Sequence, residues 1–238
     1  GGGQANIFDI GDRLHRTLET KKAASKAPSK KTDNPELSGI YELVVTSKQS
    51  VPGGFAFSFA PTASFAAEFG LVPGAALAMF EDATPDFNLV APTLAAAEAS
   101  AVDGSLYWVF GFANAGDFWQ ATMVGDDLTL LGGQAAGTLV GAHEFGLSLL
   151  TNNSGVTLLN LSCLTPSTQI PTMVDACGSG GLTATGGSAV WDLYDPLQIH
   201  ITTVAEPGTL ALLCLSMAGL AMGTARRDRR GEHGSATA

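Results

Sequence analysis

The run Phe55-Ala56-Phe57-Ser58-Phe59 alternates rings with small residues, and only a β-strand, with its two-residue side-chain period, sets all three rings on one face. The same alternation recurs along the chain. Residues 40–46 are rich in β-branched side chains, and residues 106–112 place Trp108, Phe110 and Phe112 on one side. The turn Ala113-Asn114-Ala115-Gly116 then leads into residues 117–124, which carry Phe118 and Trp119. This predicts a hairpin, because Asn and Gly tolerate the positive φ of tight turns. A second hairpin is predicted between residues 145–150 and 156–162, across Thr151-Asn152-Asn153-Ser154-Gly155. Further strands are expected at residues 77–81, 87–91, 127–131, 189–193 and 197–203, and the Ala-rich stretch 94–101 reads as a helical turn or an extended loop. About ten short strands without intervening amphipathic helices predict an all-β fold, a β-sandwich or jelly roll. The aromatic stripes read as its core, the alternative being an exposed sugar-stacking platform.

Charge divides the chain into regions. Residues 39–203 hold one basic side chain, Lys48, against 14 acidic ones, so a 165-residue acidic domain of ample size for a core is expected there. Residues 1–38 hold seven basic residues. Ile7, Ile10, Leu14 and Leu18 recur there at roughly helical spacing ahead of a Lys-, Ala- and Ser-rich stretch, which predicts a flexible or partly helical N-terminal arm. A net charge of −10 repels phosphate backbones, so nucleic acid is not an expected partner.

Chemistry-bearing motifs are sparse. Cys163 and Cys177 flank a short Pro-containing loop and are the candidate disulfide. Closing a loop of about 15 residues is worth about 3 kcal/mol in the chain-entropy model, and the alternative is two reduced buried thiols. The four histidines, His15, His143, His200 and His233, show no zinc-ligand spacing. Residues 178–181 fail both the nucleophile-elbow and the dinucleotide patterns and read as a flexible loop. The acid pairs Glu81-Asp82 and Asp126-Asp127 offer Ca²⁺ two ligands only from a loop, since strand neighbours point to opposite faces. No catalytic residue, metal site or cofactor is expected.

The most specific signal is the C-terminal segment 204–230. Glu206-Pro207-Gly208 precede an uncharged run through residue 225, followed by Arg226, Arg227, Arg229 and Arg230. The 19 uncharged residues 207–225 would span roughly 28 Å as a helix, enough for one membrane crossing, with the crossing helix expected at residues 209–225. The Arg cluster stays cytoplasmic by the positive-inside rule, so the acidic domain is placed on the far side. That orientation requires an export signal, and residues 1–38 contain no apolar h-region, so the signal is expected upstream of Gly1. Residues 231–238 read as a disordered tail.

This three-part tail resembles the PEP-CTERM sorting domain of exported bacterial proteins, in which a Pro-Glu-Pro motif, one transmembrane helix and an Arg-rich end follow in fixed order. The match rests on Glu206, Pro207, the run 209–225 and the four arginines, and the sequence departs from the pattern at Ala205, where the first Pro would stand. The acidic domain, Gly-rich and poor in Lys and Arg, also resembles the uncharacterised domains that precede such tails. The resemblance implies recognition and removal of the tail by an exosortase, a membrane-embedded transpeptidase-like enzyme. It also implies passage through the inner membrane to the cell surface or beyond, and a setting of exopolysaccharide production. The expected function is therefore a non-enzymatic exported surface or matrix protein. The alternative is a secreted carbohydrate-binding or carbohydrate-hydrolysing β-domain, using exposed Trp108 and Trp119 with Asp117 or with Asp126 and Asp127.

Overall fold

The computed structural model describes residues 9–20, 36–88, 93–124, 137–165, 169–184, 193–194 and 197–204. In chain order these form β1 (Arg13–Thr20), β2 (Glu36–Val51), β3 (Gly54–Pro61), α1 (Ala63–Glu68), β4 (Ala75–Asp82), α2 (Leu94–Val102), β5 (Ser105–Gly111) and β6 (Phe118–Val124). There follow β7 (Leu139–Asn152), β8 (Leu158–Leu159), β9 (Leu161–Leu164), β10 (Pro171–Val174), β11 (Ala176–Ala184), β12 (Leu193–Tyr194) and β13 (Gln198–Thr203). Among the described residues the fold is all-β with two short helices. Eleven strands share one antiparallel sheet, and β9 pairs with β10 in a separate ribbon.

Two long strands organise the sheet. β1 occupies one edge of β2, from Leu37 to Val44. The other edge is shared end to end by β3, opposite Leu43 to Val51, and β4, opposite Glu36 to Tyr41, with α1 in the excursion between them. β7 repeats the arrangement. β5 lies opposite Ser148 to Asn152 and β6 opposite Gly141 to Gly146, while β11 takes the other edge. Since β4 pairs with β5 and β3 with β6, the sheet is a meander whose two inner lanes are each one interrupted strand.

This topology corrects both predicted hairpins. The turn after Phe112 forms, but β5 and β6 continue along β7 instead of pairing, because a 14-residue strand offers one template long enough for both. The turn after β7 also forms: the Asn152 carboxamide accepts from Ser154 N and Oγ and donates to Val156 O, and Gly155 has φ 73°. The chain does not return along β7: β8 pairs with β13 and β9 with β10, while β11 takes the second β7 edge from Leu139 to Leu147. Phe87 and Asn88 are not in a strand, and residues 89–91, 127–131 and 189–192 of the predicted strands lie outside the described residues. The Ala-rich stretch is helical as α2, capped by the Thr93 hydroxyl.

Two further corrections concern local period. The expected arm is a strand over residues 13–20, because the four-residue spacing of Leu14 and Leu18 satisfies a period of two as well as one of 3.6. Residues 178–181 lie inside β11 and are not a loop. A Cβ on Gly178 would run into the Phe145 ring, so glycine here admits a core aromatic to the neighbouring strand.

One face of the sheet carries the main core. Trp119 stacks on Phe145, with ring centroids 4.4 Å apart, and lies 5.1 Å from Tyr41, joined by Phe57, Phe110 and Met123. The opposite face is covered over β2, β4 and β5 by Phe65 of α1, packed on Ile40, Ala78 and Val109. That second layer makes β2 and β4 buried almost continuously instead of alternately. Among large apolar side chains, Trp119 is one of the most enclosed. Trp119→Ala is expected to cost about 3–5 kcal/mol in urea unfolding, whereas Val124→Ser, at a 57% exposed site, stays within about 0.5 kcal/mol; similar losses for the two would contradict this placement of the core.

Candidate functional site

The densest polar cluster is built around Glu42, a carboxylate near the middle of β2 that is buried in the fold. Its Oε1 accepts from the Thr62 hydroxyl and, at 3.0 Å, from Ser64 Oγ, both supplied by the cap and first turn of α1. On the other side, Oε2 stands 3.0 Å from His15 Nδ1, and Arg13 Nη1 reaches Oε1 at 3.7 Å. The second ring nitrogen of His15 is 2.8 Å from Glu98 Oε1 on α2, an ion-pair contact without hydrogen-bond alignment. Burial pushes the Glu42 carboxyl up. The hydrogen bonds from Thr62, His15 and Ser64, with the His15 charge, outweigh it and hold the group below the usual carboxylate range. With two hydroxyls and Arg13 on Oε1 and the His15 ring on Oε2, this carboxylate is committed to joining β1, β2 and α1.

A second group is acidic throughout. Glu36, Asp82 and Asp86 bring one oxygen each within 4.8 Å of one another. Hard oxygens of this kind suit Ca²⁺, which takes six to eight ligands. Here the carboxylates already serve the loop after β4: Glu36 Oε2 accepts from the amides of Asp86 and Phe87, and Asp82 Oδ1 accepts from that of Thr84. Nearby, burial and then the charges of Asp86 and Asp82 raise the Asp103 carboxyl above its ordinary value. Of the predicted pair Glu81-Asp82, only Asp82 joins the cluster.

The residues singled out for sugar hydrolysis are placed differently from that scheme. Trp108 and Trp119 are both buried, and Trp108 donates its indole N–H to Ser154 Oγ at 2.9 Å. Asp117 is the acceptor that builds the turn before β6: Oδ2 takes the amides of Ala113 and Asn114, and Oδ1 takes the Ser148 hydroxyl at 2.8 Å. Asp126 and Asp127 lie outside the described residues.

Cys163 on β9 and Cys177 on β11 are joined as a disulfide, with Cα atoms 6.2 Å apart, and it ties the β9–β10 ribbon to the sheet beside Phe118 and Val174. Glu206, Pro207, Gly208, Arg226, Arg227, Arg229 and Arg230 lie outside the described residues, as does the run 209–225. Among the described residues no helix is long and apolar enough to cross a membrane. The Glu42 cluster was missed in the sequence, where its one signal was a lone acid within an otherwise apolar β-branched run. Comparison of the chain with protein-family models, with curated proteins and with solved structures yields no match.

The cluster generates a pH dependence. Because the folded Glu42 carboxyl ionises below its ordinary 4.5, its stabilising effect is complete above that pH and is lost as the pH falls through the lower folded value. Glu42→Gln cannot ionise, so urea titrations should show a loss of about 2 kcal/mol at neutral pH together with a shallower decline on the acid side. An unchanged acid limb in the variant would contradict the role given to this carboxylate.

Proposed function

We propose that this chain is an exported bacterial surface or extracellular-matrix protein, non-enzymatic, delivered by a PEP-CTERM-like tail. The observation that carries the reading is the fixed order of three features: Glu206-Pro207-Gly208, the uncharged run 209–225, and Arg226, Arg227, Arg229 and Arg230. Each has a physical task. The run is long enough for one crossing, the arginines hold their end in the cytoplasm, and Glu206-Pro207 supplies the landmark at which an exosortase-type enzyme processes the chain outside it. The inner-membrane form is then an intermediate, and the acidic domain goes on to the cell surface or the medium, where exopolysaccharide is its proposed surroundings.

Two features of the domain support this itinerary. The Cys163–Cys177 disulfide is a cross-link of the kind that persists in oxidising compartments. The near absence of Lys and Arg between residues 39 and 203 leaves no competing topogenic charge besides Lys48 ahead of the tail. The hydrolytic alternative draws no support from Trp108, Trp119 or Asp117, which are spent on core and turn.

Cell fractionation with and without changes in the tail tests the proposal. The wild-type protein is expected at the surface or in the medium with a reduced apparent mass. A double change of Glu206 and Pro207 to Ala should leave a full-mass form in the inner membrane, and deletion of residues 209–230 should release an unanchored domain. Full-mass wild-type protein in the soluble cytoplasm would overturn the reading.

A further inference from the structure

The outward face of the sheet, opposite the main core, carries a groove of about 290 Å³ across β2, β3, β6 and β7, just under the range of enclosed small-molecule sites. Its floor is formed at Phe57, Ala121 and His143. The first two turn their side chains into the main core, and the His143 ring stacks on buried Trp119 at 5.4 Å. By strand alternation the intervening residues face outward.

The register aligns those outward residues into two parallel rows. In the first, Ser47 stands opposite Ser58, Ser58 opposite Gln120, and Gln120 opposite Glu144. Beyond the groove the row runs on through Ser179 to Gln198, so six strands in succession present a hydroxyl, amide or carboxylate. Two residues along each strand, a second row is formed by Ala56, Thr122 and Ala142, whose methyl groups border the polar one. The first row thus offers donors and acceptors without a Lys or Arg, and the second offers small apolar surface beside them.

We infer that this groove binds an extended neutral oligosaccharide, laid across the strands with its hydroxyl edge on the Ser47–Ser58–Gln120–Glu144 row and its C–H faces on Ala56, Thr122 and Ala142. The chemistry selects this class. Amides and hydroxyls can donate and accept at once, as sugar hydroxyls do, and the Glu144 carboxylate accepts from hydroxyls in strong charge-assisted bonds. An anionic ligand finds no Lys or Arg in the lining and meets the Glu144 carboxylate instead. The geometry fits as well. Neighbouring strands lie about 4.8 Å apart, close to the advance per sugar of an extended glycan, so successive strands meet successive sugars. Two residues along a strand are roughly 7 Å, which sets the polar and methyl rows about one ring width apart.

This inference goes beyond the sorting reading and is separable from it. Binding is measured in solution, so its failure leaves the tail's processing standing, and an unprocessed tail leaves the groove standing. The full chain is titrated calorimetrically with the neutral probes cellohexaose, laminarihexaose and maltohexaose, and with an acidic oligogalacturonate. Saturable binding of at least one neutral hexasaccharide is expected, with none of the acidic one. Gln120→Ala should weaken it by about tenfold, the effect of losing a hydrogen bond or two. Ala142→Arg, at an exposed position on the groove, should abolish it with the near-ultraviolet circular dichroism intact, while Glu68→Gln on α1 leaves it unchanged. Should Ala142→Arg lose its fold, Gln120→Ala decides. Absence of saturable binding by every neutral probe, preference for the acidic one, or indifference to the groove substitutions would overturn the inference.

Discussion

The backbone of β2 is hydrogen-bonded on both edges while its side chains are packed on both faces, and the rest of the sheet is arranged to permit this. A buried strand has no water to satisfy its amides, so β2 needs partners along its whole buried length. β1 covers one edge, and β3 and β4 divide the other. At β7 the arrangement recurs: β5 and β6 lie in line along one edge, and β11 takes the other from Leu139 to Leu147. Excursions from the meander then become useful. The one between β3 and β4 carries α1, whose Phe65 closes the second face over β2.

The buried Glu42 carboxylate adds an electrostatic constraint. Between residues 39 and 203 the only Lys or Arg is Lys48, and it is occupied elsewhere, 2.9 Å from Asp9 and 4.8 Å above the Phe55 ring. The basic groups beside Glu42 therefore come from the N-terminal segment, as Arg13 and His15 on β1. The segment that reads as a solvated arm by composition belongs to the fold through backbone pairing and through this cluster. The acidic character of the domain and the placing of β1 are thus two sides of one arrangement.

Period-2 patterning made the strands legible where it was strong. Residues 40–46, 55–59, 77–81, 106–111 and 118–124 all lie in strands, and Phe57, Phe59, Phe110 and Trp119 lie in the core. Partner choice was not legible. Asn114 and Asn152 mark turns by accepting the amide two residues on, and Gly155 by its positive φ, yet pairing depends on distant strands long enough to act as shared templates, and no local signal carries that length. The Glu42 site was hidden for a related reason. His15, Glu42, Thr62 and Glu98 are separated in sequence and meet only through the register of β1 on β2, the N-cap of α1 and the body of α2. The outward polar row is likewise invisible until Ser58, Gln120 and Glu144 are aligned by their strand partners.

The functional account divides the chain between a folded acidic domain and an address. The domain sets polar side chains in the buried cluster around Glu42, in the acidic group beside the loop after β4 and along the outward row. The proposed address, in residues 206–230, is read from linear order, hydropathy and charge. The most direct measurement is mass spectrometry of the C-terminal peptide of the mature protein recovered from the cell surface or medium. The account predicts a chain that has lost residues 209–230; a mature surface protein that still carries that segment with its four arginines would contradict it.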